Sequence, residues 1–597
     1  MPFYKAPSAD YRFLLSEVFD AHALTAYPGY EEAELELLTS ALDEAGRFCE
    51  EVLAPHNQPG DLQGCRWDNG EVRTPDGFPD IHRQYAEAGW LGLSCEKEHG
   101  GQGLPLVLRY AVDEMTYGAN LSFAMYPGLS LGAYEGIHVH GSEQLKELYL
   151  PRLATGTWSG TMCLTEAHAG TDLSIIRTVA LPRDDGTFLV RGTKIFISAG
   201  EHDLTENIVH LVLARLPDAP PGTRGISMFL VPKRVPNADG TLGARNGVRC
   251  GSIEHKMGIK GSATCVLNFD DAIGWLVGEP HKGLRAMFTL MNAARLGVGL
   301  QGLGLAQASY VNAVAYARER RQGRALSGTR DADASADRLF HHAEIRRGLL
   351  WMRAFTEGAR ALATWTAMRI DDEMKHPDPA QREIGGDLVA LMTPVIKAFF
   401  TDGAFAATNI GLQVFGGHGY IREFGMEQFV RDARIGQIYE GTNYVQAMDL
   451  IGRKLPEGNG RLFARYRGLV QQEIGDARAS AATAGFAESL HNALERLTAA
   501  ITALGTRSAA NPDEAGAAAT DLLTLFGYVA MGHVWLRQAR IAEERRQTGG
   551  VMPPAFYQAK VDTARYFFER MLPQTEALSR TLSAGLGSIM SFDEASF

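Results

Sequence analysis

Cysteine is sparse in this sequence: Cys49, Cys65, Cys95, Cys163, Cys250 and Cys265 are scattered over 597 residues. With no Cys-x-x-Cys pair and no histidine at ligand spacing, they exclude a zinc ribbon or a disulfide framework and read as free thiols of a reducing compartment. Long apolar runs are also missing. None reaches the roughly 18 uninterrupted residues of a membrane span, and Met1-Pro2-Phe3-Tyr4-Lys5-Ala6-Pro7 has neither the basic segment nor the apolar core of a signal peptide. The expectation is a cytoplasmic protein without stable membrane insertion. Basic charge is in deficit, with 58 Lys and Arg against 70 Asp and Glu, which argues against a nucleic-acid partner bound by phosphate neutralisation. What remains is ordinary globular material, 45% hydrophobic and 21% charged, long enough for about three or four domains.

Periodicity predicts an α+β fold, mostly helical. Residues 1–35 form an N-terminal extension with one short helix over Tyr11 to Phe19, and 36–158 a helical domain. Its helices are expected at 31–53, 82–88, 107–118 and 142–153, with Gly100-Gly101-Gln102-Gly103 as a loop. Residues 159–281 read as a central antiparallel β domain, in which Asp184-Asp185-Gly186 marks a hairpin. Alternation over Lys194 to Ser198 puts Phe196 and Ser198 on one face. Residues 282–455 are helical again, as a four-helix bundle. The remaining 456–597 form an additional C-terminal helical domain, with helices over 462–474, 482–504, 515–545 and 554–582.

Two motifs point elsewhere and fail on context. Gly128-Leu129-Ser130-Leu131-Gly132 has the spacing of a hydrolase nucleophile elbow, but Pro127 before it disfavours the required central strand. Gly297-Val298-Gly299-Leu300-Gln301-Gly302, with Glu319 downstream, fits a dinucleotide fingerprint. It lies inside a long helical stretch, where small residues serve close helix packing.

Four segments carry chemistry. Met162 to Asp172 offers hydroxyls and a glycine turn suited to hydrogen-bonding an uncharged polar ring system, and Lys194 to Gly200 adds an aromatic face and a hydroxyl. Arg320 and Gln322 end a helix in cations, either as a favourable dipole arrangement or as a diphosphate holder. Gln413 to Tyr420 contains paired glycines that let N–H groups approach a ligand. Glu440, followed by Gly441-Thr442-Asn443, stands at a helix end on an exposed turn, where a movable general base would sit.

Together these segments resemble the acyl-CoA dehydrogenases, over roughly residues 36–455. The Phe3 to Pro7 extension and the long tail resemble a bacterial subgroup that includes 3-methylmercaptopropionyl-CoA dehydrogenases. Ala167 replaces a common Pro, and Gln428 a common Lys or Arg. The resemblance implies FAD as cofactor, bound by Met162, Leu164, Thr165, Thr171, Phe196, Ser198 and Thr442, with Arg320, Gln322, Gln413, Gly416 and Gly417 reaching the FAD of a neighbouring subunit. It implies Glu440 as the base that removes the α-proton of an acyl-CoA, and Arg295, Gly441 and Tyr444 at the substrate, Arg295 being equally readable as a helix-pairing residue. Members with the base on the earlier helix carry it where Ala294 stands here. The implied partners are electron-transferring flavoprotein and a second copy of the chain, as homodimer or homotetramer. The implied substrate is a fatty acyl-CoA or 3-methylmercaptopropionyl-CoA. An acyl-CoA oxidase and a non-catalytic flavin-binding relative share the pattern and stay open here.

Overall fold

The computed structural model describes residues 2–237 and 239–597; Ala238, within the loop expected after Asn237, lies outside the described residues. The apolar periodicity of the first part folds as α1 (Ser8–Phe13), α2 (Leu35–Phe48), α3 (Leu106–His140) and α4 (Glu143–Ala154). A further helix spans Phe78–Glu87. Ser142 caps α4, its hydroxyl accepting the Leu145 N–H at 3.4 Å. The expected helix over 107–118 continues beyond Gly118, but with a break. Asn120 takes φ −158° and ψ 88°, and its side-chain oxygen accepts the Phe123 N–H at 3.1 Å, which restarts the helix as a cap.

A seven-stranded sheet follows, built of β1 (Trp158–Cys163), β2 (Val179–Pro182), β3 (Phe188–Ser198), β4 (Asn207–Arg215), β5 (Ile226–Pro232), β6 (Val248–Ile253) and β7 (Thr264–Val277), with a separate two-stranded ribbon of Arg234–Pro236 and Leu242–Arg245 between β5 and β6. In their sheet β7, β3, β2, β4 and β5 pair in a closed ring, flanked by β1 and β6. The expectation of an antiparallel domain is corrected in one respect: β4 runs parallel to β1 and β2, so the sheet is mixed. Turn residues betray hairpins such as β2–β3, whereas a parallel pair is joined by a long crossover with no local signature. The alternation expected over Lys194 to Ser198 is also interrupted. Two residues of β3, Ile195 and Phe196, oppose the single Val266 of β7 there, a bulge in which Phe196 has a φ of +58°. β4 is buried on both faces. Val209, Leu211 and Leu213 join a core with Tyr134, Trp158 and Met287, while Val212 and Ala214 face Val190, Phe229 and Cys265.

Helices complete the chain: α5 (Gly283–Glu319), α6 (Ala343–Lys375), α7 (Pro379–Phe415), α8 (Met426–Arg434), α9 (Asn443–Asp449), α10 (Glu457–Arg478), α11 (Ala484–Ala510), α12 (Asp513–Thr548), α13 (Pro554–Tyr566) and α14 (Gln574–Ser583). The last tail helix, expected as one piece over 554–582, is divided at Pro573, whose missing N–H interrupts the helical hydrogen-bond ladder while Leu572 before it keeps helical φ and ψ of −57° and −33°. Two helical stretches, Pro379–Tyr420 and Asp513–Thr548, are long and apolar enough to cross a membrane. In the 18-residue apolar window of each, 72% and 61% is buried inside the protein, so the apolarity there is accounted for by core packing.

Contacts divide the chain into two compact units, one of the chain up to Arg47 with Pro105–Gly118 and Val298–Phe597, the other of Phe48–Leu104 and Ala119–Gly297. In the first, the tail packs on the bundle: Trp535 of α12 donates its indole N–H to the Ala354 carbonyl of α6 at 3.0 Å. A Cβ on Gly358 would stand 2.4 Å from that indole nitrogen. A buried ionic cluster ties the same elements together. Arg360 of α6 bonds Asp10 of α1 and Glu114 of α3 at 2.6 Å each, and Gln307 of α5 at 3.0 Å. Lys560 of α13 bonds Asp10 and, at 2.9 Å, Glu357, which also accepts from Arg353 at 2.7 Å. Asp371 of α6 closes the start of α3, accepting the Leu106 and Val107 N–H groups at 2.8 and 3.0 Å.

Removing one partner of such a cluster strands the others. Lys560→Met is expected to cost about 3–5 kcal/mol in urea denaturation. Arg347→Ala, which breaks the exposed Arg347–Glu344 pair, should change the same measurement by less than about 1 kcal/mol.

Candidate active site

In the unit that contains the sheet, the two segments expected to line a polar ring lie side by side. The Ile195 N–H donates to the Thr165 carbonyl at 2.9 Å. Lys194, buried on β3, donates to the Leu164 carbonyl at 2.8 Å and to Glu166 at 2.9 Å. Glu166 further accepts the Arg177 N–H at 2.7 Å, and from Thr178 both the N–H at 3.0 Å and the hydroxyl at 2.6 Å. Burial pushes the Glu166 carboxyl up, but Lys194 and these donors outweigh it and bring it down to about 2. The pair thus pins the loop after β1 to β3. Neither Glu166 nor Lys194 stood out as functional in the sequence; the one signal was a lysine at a strand position leading directly into the apolar run Ile195-Phe196-Ile197.

On this frame Phe196 is 59% exposed at positive φ, a conformation that costs on the order of 1 kcal/mol for a residue with a Cβ. Ser198 and Thr165 are half-buried and Thr171 is exposed. Met162 is turned into the core and Leu164 packs against it, so these two have mainly backbone to present. Arg295, 5% exposed, sits on α5 with Asn292 at 3.4 Å and the Phe288 ring at 6.0 Å. Ser130 of the hydrolase-like motif is helical and buried; its hydroxyl donates to the Tyr126 carbonyl at 3.0 Å and accepts the Gly160 N–H at 3.2 Å. It is a packing residue.

In the other unit, Tyr316 joins the ends of two helices. Its ring stacks on Phe415 at 4.0 Å and its hydroxyl lies 2.8 Å from His418 Nδ1. That brings Arg320 and Gln322, just past α5, towards the exposed Gln413, Gly416 and Gly417 at the end of α7. A Cβ on either glycine would meet nothing within 4 Å, and Gly416 has φ +59°. Arg320 has no carboxylate partner among the described residues. The glycines at 299 and 302 are helix-packing residues: a Cβ on Gly299 would stand 2.7 Å from Ile396 Cγ2, and one on Gly302 3.1 Å from Ala404 Cβ.

Glu440 follows α8 on a turn of two left-handed residues, with φ +56° at Glu440 and +83° at Gly441. The carbonyls of both accept from Gln446, at 3.1 and 3.3 Å, and that of Gly441 also from Lys397 at 2.8 Å. Thr442 caps α9, its hydroxyl accepting the Val445 N–H at 3.3 Å. Tyr439 donates to Gln301. Burial, with Tyr117 and the Glu440 charge adding to it, pushes the Tyr439 phenol far above its ordinary value. Tyr444 is 51% exposed and leans on the tail: a Cβ on Gly516 of α12 would stand 3.1 Å from its hydroxyl.

Four consecutive descriptions of one family match the chain. They are the N-terminal domain of acyl-CoA dehydrogenase over residues 38–157, its middle domain over 161–272, its C-terminal domain over 281–455, and an acetyl-CoA dehydrogenase C-terminal-like domain over 464–593. The chain belongs to the acyl-CoA dehydrogenase family. It is 42% identical to a 3-methylmercaptopropionyl-CoA dehydrogenase of Ruegeria pomeroyi over 575 residues, 96% of this chain and 97% of that one. It is 33% identical to the broad-specificity linear acyl-CoA dehydrogenase FadE5 of Mycobacterium tuberculosis over the whole of both. An acyl-CoA dehydrogenase of Bacillus anthracis, solved with FAD, shares its fold with a TM-score of 0.75 at 22% identity, covering 98% of this chain and 93% of that one. As an acyl-CoA dehydrogenase the protein is an oxidoreductase and depends on FAD.

For this acyl-CoA dehydrogenase the Glu166 carboxyl supplies a pH test. Its folded value lies below its ordinary 4.5, so its stabilisation is present above that value and is lost as pH falls towards about 2. In Glu166→Gln the unfolding free energy from urea denaturation is expected to be lower at pH 7, by about 3 kcal/mol for the stranded lysine, and to fall less steeply between pH 4.5 and 3 than in the wild type.

Proposed function

We propose that the protein oxidises the Cα–Cβ bond of an acyl-CoA thioester to the trans-2-enoyl-CoA, with Glu440 as the base that removes the α-proton. The observation that carries the assignment is the strained turn, two successive left-handed residues presenting one carboxylate. No rival stands in the first half of α5, since Leu284 to Gly302 contains no Asp or Glu and Ala294 occupies the alternative position.

A thioester α-proton is far too weak an acid for a carboxylate in water, so the carbonyl oxygen must be held while charge builds on it. Each preorganised donor aimed at that oxygen is worth about 3–4 kcal/mol. The Glu440 N–H is one such donor in this reading. Arg295, Gly441 and Tyr444 contact the substrate. FAD, when bound, supplies the acceptor for the hydride that leaves the β-carbon. Thr165, Thr171, Phe196, Ser198, Thr442 and the backbone of Met162 and Leu164 hold its ring system; Arg320, Gln322, Gln413, Gly416 and Gly417 hold the diphosphate in a neighbouring copy. The open space over the two glycines and an Arg320 charge with no carboxylate partner among the described residues support the second set.

Electron-transferring flavoprotein takes the electrons onward. We place 3-methylmercaptopropionyl-CoA first among substrates, on the 42% identity to a dehydrogenase of that name, and linear fatty acyl-CoAs second, on the 33% identity to a broad-specificity linear acyl-CoA dehydrogenase. The protein acts as a cytoplasmic homodimer or homotetramer in fatty acid β-oxidation or a parallel thioether route; six free cysteines suit a reducing compartment.

Glu440→Gln is expected to purify yellow with FAD and to lose about 10²- to 10⁴-fold in kcat, the range ascribed to a positioned general base. Wild-type turnover in that variant overturns the assignment. Anaerobic bleaching across an acyl-CoA panel should be fastest with 3-methylmercaptopropionyl-CoA; faster bleaching by a long-chain acyl-CoA would reverse the substrate order. Peroxide formation in place of electron-transferring flavoprotein reduction would make the protein an oxidase.

A further inference from the structure

The Glu440 turn raises a question of support. A left-handed glutamate costs on the order of 1–2 kcal/mol, so such a backbone persists only where its surroundings over-determine it. Here the support comes from outside the turn. Lys397, 0% exposed on α7, donates to the Gly441 carbonyl at 2.8 Å and to the Asn443 side-chain oxygen at 2.9 Å. Asn443 in turn donates to Asp402 at 2.7 Å and to Thr401 at 3.0 Å, both also on α7. Gln437, three residues before Glu440, donates to the same Asp402 oxygen at 2.7 Å. From the other side Gln446, also 0% exposed, donates to the carbonyls of Glu440 and Gly441.

A buried ammonium is costly unless its protons are taken up in hydrogen bonds. Two of its acceptors are the Gly441 carbonyl and Asn443, which lie on either side of Thr442. Any movement of the turn away from α7 therefore breaks bonds to a buried charge, which are stronger than those between neutral groups. The turn is clamped from α7 on one side and from α9 on the other.

We propose that Lys397, seconded by Gln446, is a positioning residue that fixes the Glu440 carboxylate in its reactive orientation. The inference rests on the reading of Glu440 as the base. Neither residue touches substrate or cofactor in it; both act through the Glu440–Gly441 carbonyls. Loosening the clamp lets the carboxylate sample unreactive orientations, and misplacement on the scale of an ångström is enough to cost two orders of magnitude in rate.

The test compares Lys397→Met, Gln446→Leu and Glu440→Gln, each as full-length FAD-loaded enzyme, with the acyl-CoA that bleaches the flavin fastest, unlabelled and deuterated at C2. Lys397→Met is expected to keep its flavin spectrum, to hold KM within about threefold, and to lose at least about tenfold in kcat. Its C2 deuterium isotope effect on kcat should rise, because proton removal becomes more nearly rate-limiting. Gln446→Leu should show the same signature more weakly, and it decides the matter if Lys397→Met does not fold. Turnover within twofold of wild type, or a fall in kcat with no change in the isotope effect, overturns the positioning role. Should Glu440→Gln stay active, the base assignment fails and this proposal with it. Should Glu440→Gln be dead while the other two are unaffected, the base stands and only the clamp is refuted.

Discussion

The guanidinium of Arg360 is where the N-terminal extension, the bundle and the tail become one body. It reaches Asp10 near the start of the chain and Glu114 on α3, while Lys560, some two hundred residues later, closes on the same Asp10. Charges taken out of water in this way add little net stability compared with an apolar packing of the same shape. What they supply is exclusivity. An apolar surface tolerates sliding and rotation, whereas buried ions are satisfied in one arrangement only. Asp371 acts similarly, since its two oxygens meet the first N–H groups of α3 and so fix where that helix begins.

The same device recurs beside two of the groups assigned to the chemistry. Glu166 and Lys194 fasten a loop to a strand in the sheet unit, and Lys397 fastens a turn to a helix in the other. In both cases a buried lysine takes a main-chain carbonyl as well as a side-chain oxygen. Main-chain carbonyls cannot rotate away on a side-chain timescale, so the lysine sets backbone geometry, and the backbone then aims an exposed or half-exposed residue. Phe196 and Glu440 are those residues, and both have positive φ. Strain and support coincide.

Much of this was legible in the residues. The helix ends around Glu440, the β2–β3 turn and the packing role of Gly299 and Gly302 follow from local patterns, because glycine, proline and apolar spacing act over a few positions. The tail helices were visible too, though the stop at Pro573 was passed over by reading amphipathic spacing as continuous. The parallel pairing of β4, the bulge at Phe196 and the Glu166–Lys194 pair were not visible. Each depends on partners far apart in sequence, and a single chain read in order carries no sign of which distant residue will be opposite. Met162 shows the converse: the segment was found, but its side chain belongs to the core and only its backbone remains for a ligand.

Family members without a tail must solve the outer face of their bundle differently. Here that face is cut to fit: Gly358 is a glycine because the Trp535 indole occupies the space beside it, and Glu357 and Arg353 continue a charge relay that Lys560 completes. A chain ending after Lys454 would therefore expose a notch and unmatched ions to solvent, and would not fall back to a compact short enzyme. The appended helices are a structural partner carried in cis, and any exchange of bundles between long and short members has to carry α6 and α12 together.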